Sequence, residues 1–195
     1  MEKIDIIETL VNGEVVKSYI IKYYYKDDKL IRIEYRNSDY EIHRDEDLPA
    51  IISYNPTGNK RLSNEGRHEI WVQNGKMYRA NDKPNIVVYY PDSNIVYSEC
   101  WKNNDILHRD NDEPAVIRYY RNGNIENKSW FYNREYHRDN DKPAVIEYYE
   151  NGQVKKEEWY LKGKLDRPFK GKPAKIRYYS DSTPKEKIWY KNDIV

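Results

Sequence analysis

The chain reads as an all-β protein, an elongated antiparallel meander of stacked β-hairpin repeats with about five units, each of roughly 30 residues. Three observations carry that expectation. Trp71, Trp101, Trp130, Trp159 and Trp189 recur at intervals of 30, 29, 29 and 30. Pro49, Pro84, Pro114, Pro143 and Pro173 keep step at 35, 30, 29 and 30. Between these markers the hydrophobic pattern alternates with a period of two, and Asn-Gly pairs punctuate it. A fixed period of this size is the mark of a repeat architecture, in which each unit buries its apolar surface against its neighbours.

Taken from the N-terminus, Leu10 to Ile21 reads as a hairpin turning at Asn12-Gly13, and residues 1–23 form an N-terminal cap. Residues 24–54 are a divergent first repeat, in which Tyr24-Tyr25 and Tyr35 stand where later units carry Tyr-Tyr and Trp. Residues 55–67, around Asn55-Pro56-Thr57-Gly58-Asn59, are an insertion that stretches the first proline interval. Residues 68–195 are regular repeats ending in a C-terminal cap, and the whole of 1–195 is expected to be one domain.

Within the unit that starts at His108, Ala115, Ile117 and Tyr119 alternate with Val116, Arg118 and Tyr120, as on a strand with one buried face. Asn122-Gly123 makes the hairpin turn, Ile125 to Tyr132 is the return strand, and Asn133-Arg134 is a second turn. The Ala/Ile/Tyr face recurs as Ala144/Ile146/Tyr148 and Ala174/Ile176/Tyr178 and is expected to be core. The other face varies, from Ile86/Val88/Tyr90 through Val145/Glu147/Tyr149 to Lys175/Arg177/Tyr179, and is expected to be partly solvated.

Composition limits the function. Hydrophobic residues make up 38% and charged residues 34%, yet the net charge is only +1 and aromatics reach 14%. Such a chain can fold around Tyr and Trp rings. Balanced charge argues against a general polyanion binder. One cysteine, Cys100, precludes an intrachain disulfide, and no apolar run is long enough to span a bilayer. The N-terminus lacks a signal-peptide layout, and the expected location is cytoplasmic. No cofactor is expected.

The order W-x-x-N-G-x-x-H-R-x-x-D-x-P-A-V-I-x-Y-x-x-N-G resembles the MORN-type and MORN-variant repeats of bacterial proteins and of large DNA viruses of protists, over residues 24 to 195. That resemblance implies a scaffold or partner-binding array. The bias toward Lys, Asn, Asp, Ile and Tyr is that of an AT-rich genome and points to a viral or protist source.

His-Arg-Asp-Asn-Asp, at 108–112 and 137–141, is similar to the catalytic loop of protein kinases. That loop needs an Asn five residues beyond its Asp, where Ala115 and Ala144 stand here, and no glycine-rich phosphate loop precedes it. A metal site through His43, His108 and His137 would need ligands from repeats about 10 to 14 Å apart, too far to share one ion. The pairs Asp110/Asp112 and Asp139/Asp141 leave a local calcium loop open. The recurring pairs Arg44/Asp47, Arg79/Asp82, Arg109/Asp112 and Arg138/Asp141 read as a structural clasp around the turn. The tryptophans read as a ladder. Tyr90, Tyr120, Tyr149 and Tyr179, with Arg118 and Arg177 between them, form the expected partner-binding stripe, since Tyr and Arg are the residues of binding hot spots. A protein is the expected partner, with nucleic acid or an anionic surface as the alternative, and no catalytic set is found.

Overall fold

A computed structural model of the chain describes residues 1–12, 14–24, 29–54, 66–91, 93–168 and 171–194. Gly13, Tyr25 and most of the expected insertion, residues 55–65, lie outside the described residues. The protein is all-β. Thirteen strands hydrogen-bond to one another in chain order as an antiparallel meander, and four short hairpins branch from it as separate two-stranded sheets. The chain falls into two compact units, Met1–Tyr97 and Ser98–Val195.

In the first unit, β1 (Glu2–Val11) and β2 (Glu14–Tyr24) pair along the whole of β1 without a bulge. β3 (Leu30–Arg36), β4 (Ile51–Ser53) and β5 (His68–Ile70) follow in the sheet, each against its predecessor. β6 (Val72–Gln73) and β7 (Lys76–Met77) make the first short hairpin, after which β8 (Ile86–Tyr89) returns to pair with β5. β9 (Val96–Cys100) contains the boundary between the units.

The second unit repeats one plan three times. A short hairpin of β10 (Lys102–Asn103) and β11 (Ile106–Leu107) precedes sheet strands β12 (Val116–Tyr119) and β13 (Ile125–Ser129). The hairpin of β14 (Phe131–Tyr132) and β15 (Glu135–Tyr136) precedes β16 (Val145–Tyr148) and β17 (Val154–Glu158). The hairpin of β18 (Tyr160–Leu161) and β19 (Lys164–Leu165) precedes β20 (Lys175–Tyr178) and β21 (Pro184–Ile188).

The turn between β12 and β13 follows from its sequence. Asn122 accepts the Asn124 N–H on its side-chain oxygen, Gly123 takes φ 86°, and the register slips between Arg118 and Tyr119. This is a turn closed by a glycine in the left-handed region next to a bulge, which matches the right-handed twist of the flanking strands. Gly152, at φ 85°, repeats it.

Two expectations are corrected. The return strand expected from Ile125 to Tyr132 stops at Ser129, because at Trp130 the chain leaves the sheet and begins the β14–β15 hairpin. The two faces are also less distinct than expected: Val88, Val116 and Val145 on the supposed solvated face are buried, as are Val87 and the alanines on the other, while Ile117, Ile146 and Ile176 are half-buried and Arg118, Arg177 and Tyr179 are exposed. In the first unit Ala50 and Ile51 of the sheet pack with Val72 and Met77 of the β6–β7 hairpin. There the core is thus shared between sheet and hairpin. Ala50, Ala115, Ala144 and Ala174 are all but fully buried, so no larger side chain has room there without displacement.

Candidate functional site

The His-Arg-x-x-Asp loops are the most chemical-looking feature of the chain, and their geometry is that of a clamp between successive repeats. Asp112 lies in a left-handed turn with Asn111, at φ 57° and 60°. Its carboxylate receives two bonds from Arg138 of the next repeat, at 2.7 and 3.0 Å, and a third from Lys142 at 2.6 Å. Arg167 and Lys172 grip Asp141 in the same way, as Arg79 and Lys83 grip Asp47. The clasp expected between an Arg and the Asp three residues on is thus made with the preceding repeat's Asp instead. Hydrogen bonds from the Arg, followed by those from the Lys, hold the Asp47, Asp112 and Asp141 carboxyls down at about 2.

Each clamp arginine is used in full. The Arg138 guanidinium lies 3.8 Å from the centre of the Trp130 ring and donates to the Pro143 carbonyl besides holding Asp112. Trp130 in turn donates its indole N–H to the Asp112 carbonyl at 2.9 Å, and Trp71 and Trp159 do the same to Asp47 and Asp141. This cation–π stack, bidentate ion pair and indole bond form one assembly, repeated along the chain. In the first repeat Tyr35 takes the place of the Trp, with Arg44 3.6 Å above its ring.

The histidines have a smaller task. His43, His108 and His137 each meet the first Asp of their own loop, Asp45, Asp110 and Asp139, at 3.0–3.1 Å. Where Tyr78 replaces the His, Ala80 replaces that Asp, so the two are lost together. The two carboxylates of a loop thus meet different partners, the first the His of its own loop and the second the Arg and Lys of the next repeat. Among the described residues no group of three or more His, Cys, Asp or Glu side chains is placed to hold a metal ion.

The expected partner-binding stripe divides. Tyr90 is 7% exposed and therefore presents almost no surface. Tyr120 and Tyr149 are half-buried, and their hydroxyls donate to the Tyr148 and Tyr178 carbonyls of the following repeat at 2.7 and 2.8 Å. Burial of a phenol is tolerable once its hydroxyl finds an acceptor, and these two tyrosines serve as rungs between repeats. Arg118, Arg177 and Tyr179 remain exposed. Arg118 and Arg177 share one face of the sheet through the register Arg118, Asn127, Glu147, Lys156, Arg177. Four strand spacings separate them, about 19 Å. Arg177 pairs with Glu186 at 2.8 Å, and Lys156 with Glu147 at 2.7 Å, whereas Arg118 has no ion pair among the described residues.

Sequence reasoning passed over another exposed cluster, at the tips of the short hairpins, where Tyr132 and Tyr136 stand clear of the core beside Arg134. The available signal was turn chemistry: Arg134 occupies a position that takes Gly or Asp in the other hairpins. No family model, curated protein or solved structure matches this chain. No helix among the described residues is long and apolar enough to cross a membrane.

Proposed function

We propose that the chain is a non-enzymatic repeat scaffold that binds a protein partner. The supporting observation is the fate of the recurring polar residues. The Arg, Lys and Asp of the clamp loops, which could have formed a catalytic set, are consumed in contacts that join repeat to repeat. The sheet-face residue at one repeat position varies, from the exposed Arg118 and Arg177 to the half-buried Glu147. The likeness of the repeats to the MORN type supports the same reading, and the compositional bias supports a viral scaffold acting in a host cytoplasm.

The test replaces Arg118, Arg177 and Tyr179 by Ala together, since none of them takes part in the clamps. Partner capture is expected to fall by about tenfold, the scale of a lost hot-spot cluster. Recovery of the same proteins in the same amounts by wild type and variant would sink the proposal. The second reading, binding to nucleic acid or another anionic surface, is favoured by one observation, the lack of an ion pair at Arg118 among the described residues. It requires affinity that falls steeply with salt, and a flat dependence rules it out.

A further inference from the structure

The tips of the short hairpins place two consecutive residues in the left-handed region, at Asn74-Gly75, Asn104-Asp105, Asn133-Arg134 and Lys162-Gly163, and Asn192-Asp193 repeats the arrangement near the C-terminus. Asn, Asp and Gly are the residues that tolerate this conformation. Two positions depart from that chemistry, Arg134 at φ 72° and Lys162 at φ 49°, and both departures install a cation. They lie on neighbouring hairpins in direct contact. Gly163 donates its N–H to the Tyr136 carbonyl at 3.1 Å, and a Cβ at Gly163 would stand 3.2 Å from the Glu135 side chain.

The surroundings leave these cations uncommitted. Among the described residues the side chains of Arg134, Lys162 and Lys164 form no hydrogen bond or ion pair. Of the nearby carboxylates, Asp193 accepts the Leu165 N–H at 2.7 Å, while the exposed Glu135 side chain packs its carbons beside Gly163 and forms no ion pair with these cations. Beside the cations stand two exposed rings, Tyr132 at 58% and Tyr136 at 37%. Tyr136 is held between Phe131 and Tyr160, with ring centres 4.6 and 5.1 Å away, and Tyr132 leans on His137 at 5.9 Å. Rigid tyrosines flanked by unpaired cations, at a turn that accepts strain to carry them, form a recognition surface.

We infer that the stacked tips of β14–β15 and β18–β19 bind an acidic, extended segment of a partner protein. Its carboxylates go to Arg134, Lys162 and Lys164, and an apolar side chain between them lies on Tyr132 and Tyr136. The planar Arg fork takes one carboxylate with two parallel bonds, while the lysines act as point charges. A nucleic acid fits less well, since it draws on a larger basic excess than a chain of net charge +1 supplies. This inference rests on the reading of the chain as a protein-binding scaffold, and it adds a surface separate from the Arg118 and Arg177 row.

The test uses the intact chain and a fluorescein-labelled peptide made of four Glu-Glu-Leu repeats, followed by anisotropy at low salt. The double variant Arg134→Gly with Lys162→Asn restores the residues of the other tips, so its thermal midpoint should hold or rise. Its affinity for the peptide should fall by about tenfold, the worth of a charge-assisted bidentate contact. In wild type the amides of residues 132–136 and 161–165 should be those that shift in an NMR titration. Binding by the double variant within twofold of wild type overturns the inference. So does equal binding of a Lys-Lys-Leu peptide, or tighter binding of a single-stranded oligonucleotide of matched charge. A partner that is lost only from the Arg118, Arg177 and Tyr179 variant, and not from the tip variant, overturns this inference while leaving the scaffold reading intact.

Discussion

Asp141 shows how much a single carboxylate can carry in this chain. It meets Arg167 through two bonds, receives Lys172, and its carbonyl takes the Trp159 indole N–H. Asp141→Asn keeps the size and the turn-forming side chain but weakens both cationic contacts. Urea unfolding should show a loss of about 1 to 3 kcal/mol, the range for hydrogen bonds to charged groups. The pH dependence has a definite sign. The Asp141 carboxyl sits at about 2 in the folded chain against an ordinary 3.8, so its stabilising contribution is complete above that ordinary value and is lost as pH falls through about 2. The stability difference between wild type and Asp141→Asn should therefore shrink as pH is lowered from about 4 to about 2. A difference independent of pH across that window would show that the ion pairs are not its source.

At the scale of the element, the turns are the parts that sequence dictates most directly. Gly152 stands at φ 85°, where a Cβ has a steric cost although no neighbour would touch it. Gly152→Ala should cost about 1 kcal/mol by thermal melting, and a neutral result would mean the turn changes type. The meander, its period and its hairpin turns were legible because each depends on residues close in sequence. The return strand ending at Trp130 and the burial of Val116 and Val145 were not. The strand end depends on a hairpin whose strands, Phe131–Tyr132 and Glu135–Tyr136, are too short to show a periodic pattern. The candidate stripe fared similarly: Tyr120 and Tyr149 are visible as tyrosines, but the carbonyls that receive their hydroxyls belong to Tyr148 and Tyr178, a whole repeat further on. The clamp was legible as residues and hidden as a pairing, because Arg138 reaches back past its own loop's Asp141 to Asp112 in the repeat before.

At the scale of the whole molecule, pairing between adjacent strands dominates, and stability should be graded across each unit. In the second unit β13 is bonded on both sides, to β12 and β16, while β21 closes the order and is exposed over most of its length. Amide exchange should be slowest in β13 and β16 and fastest in β21, and uniform protection across the unit would contradict a chain of nearest-neighbour contacts. The staggered clamp carries a consequence for how such a chain can change length. The repeat with Arg138, Lys142 and Asp141 brings an Arg and a Lys for the repeat before it and an Asp for the repeat after it, whereas the preceding repeat has Glu113 at the lysine position. A tandem duplication of that repeat's codons would therefore arrive with both halves of its joints already encoded, and its deletion would leave Asp112 facing Arg167 and Lys172. At that joint, array length could change by a whole repeat with no compensating substitution required.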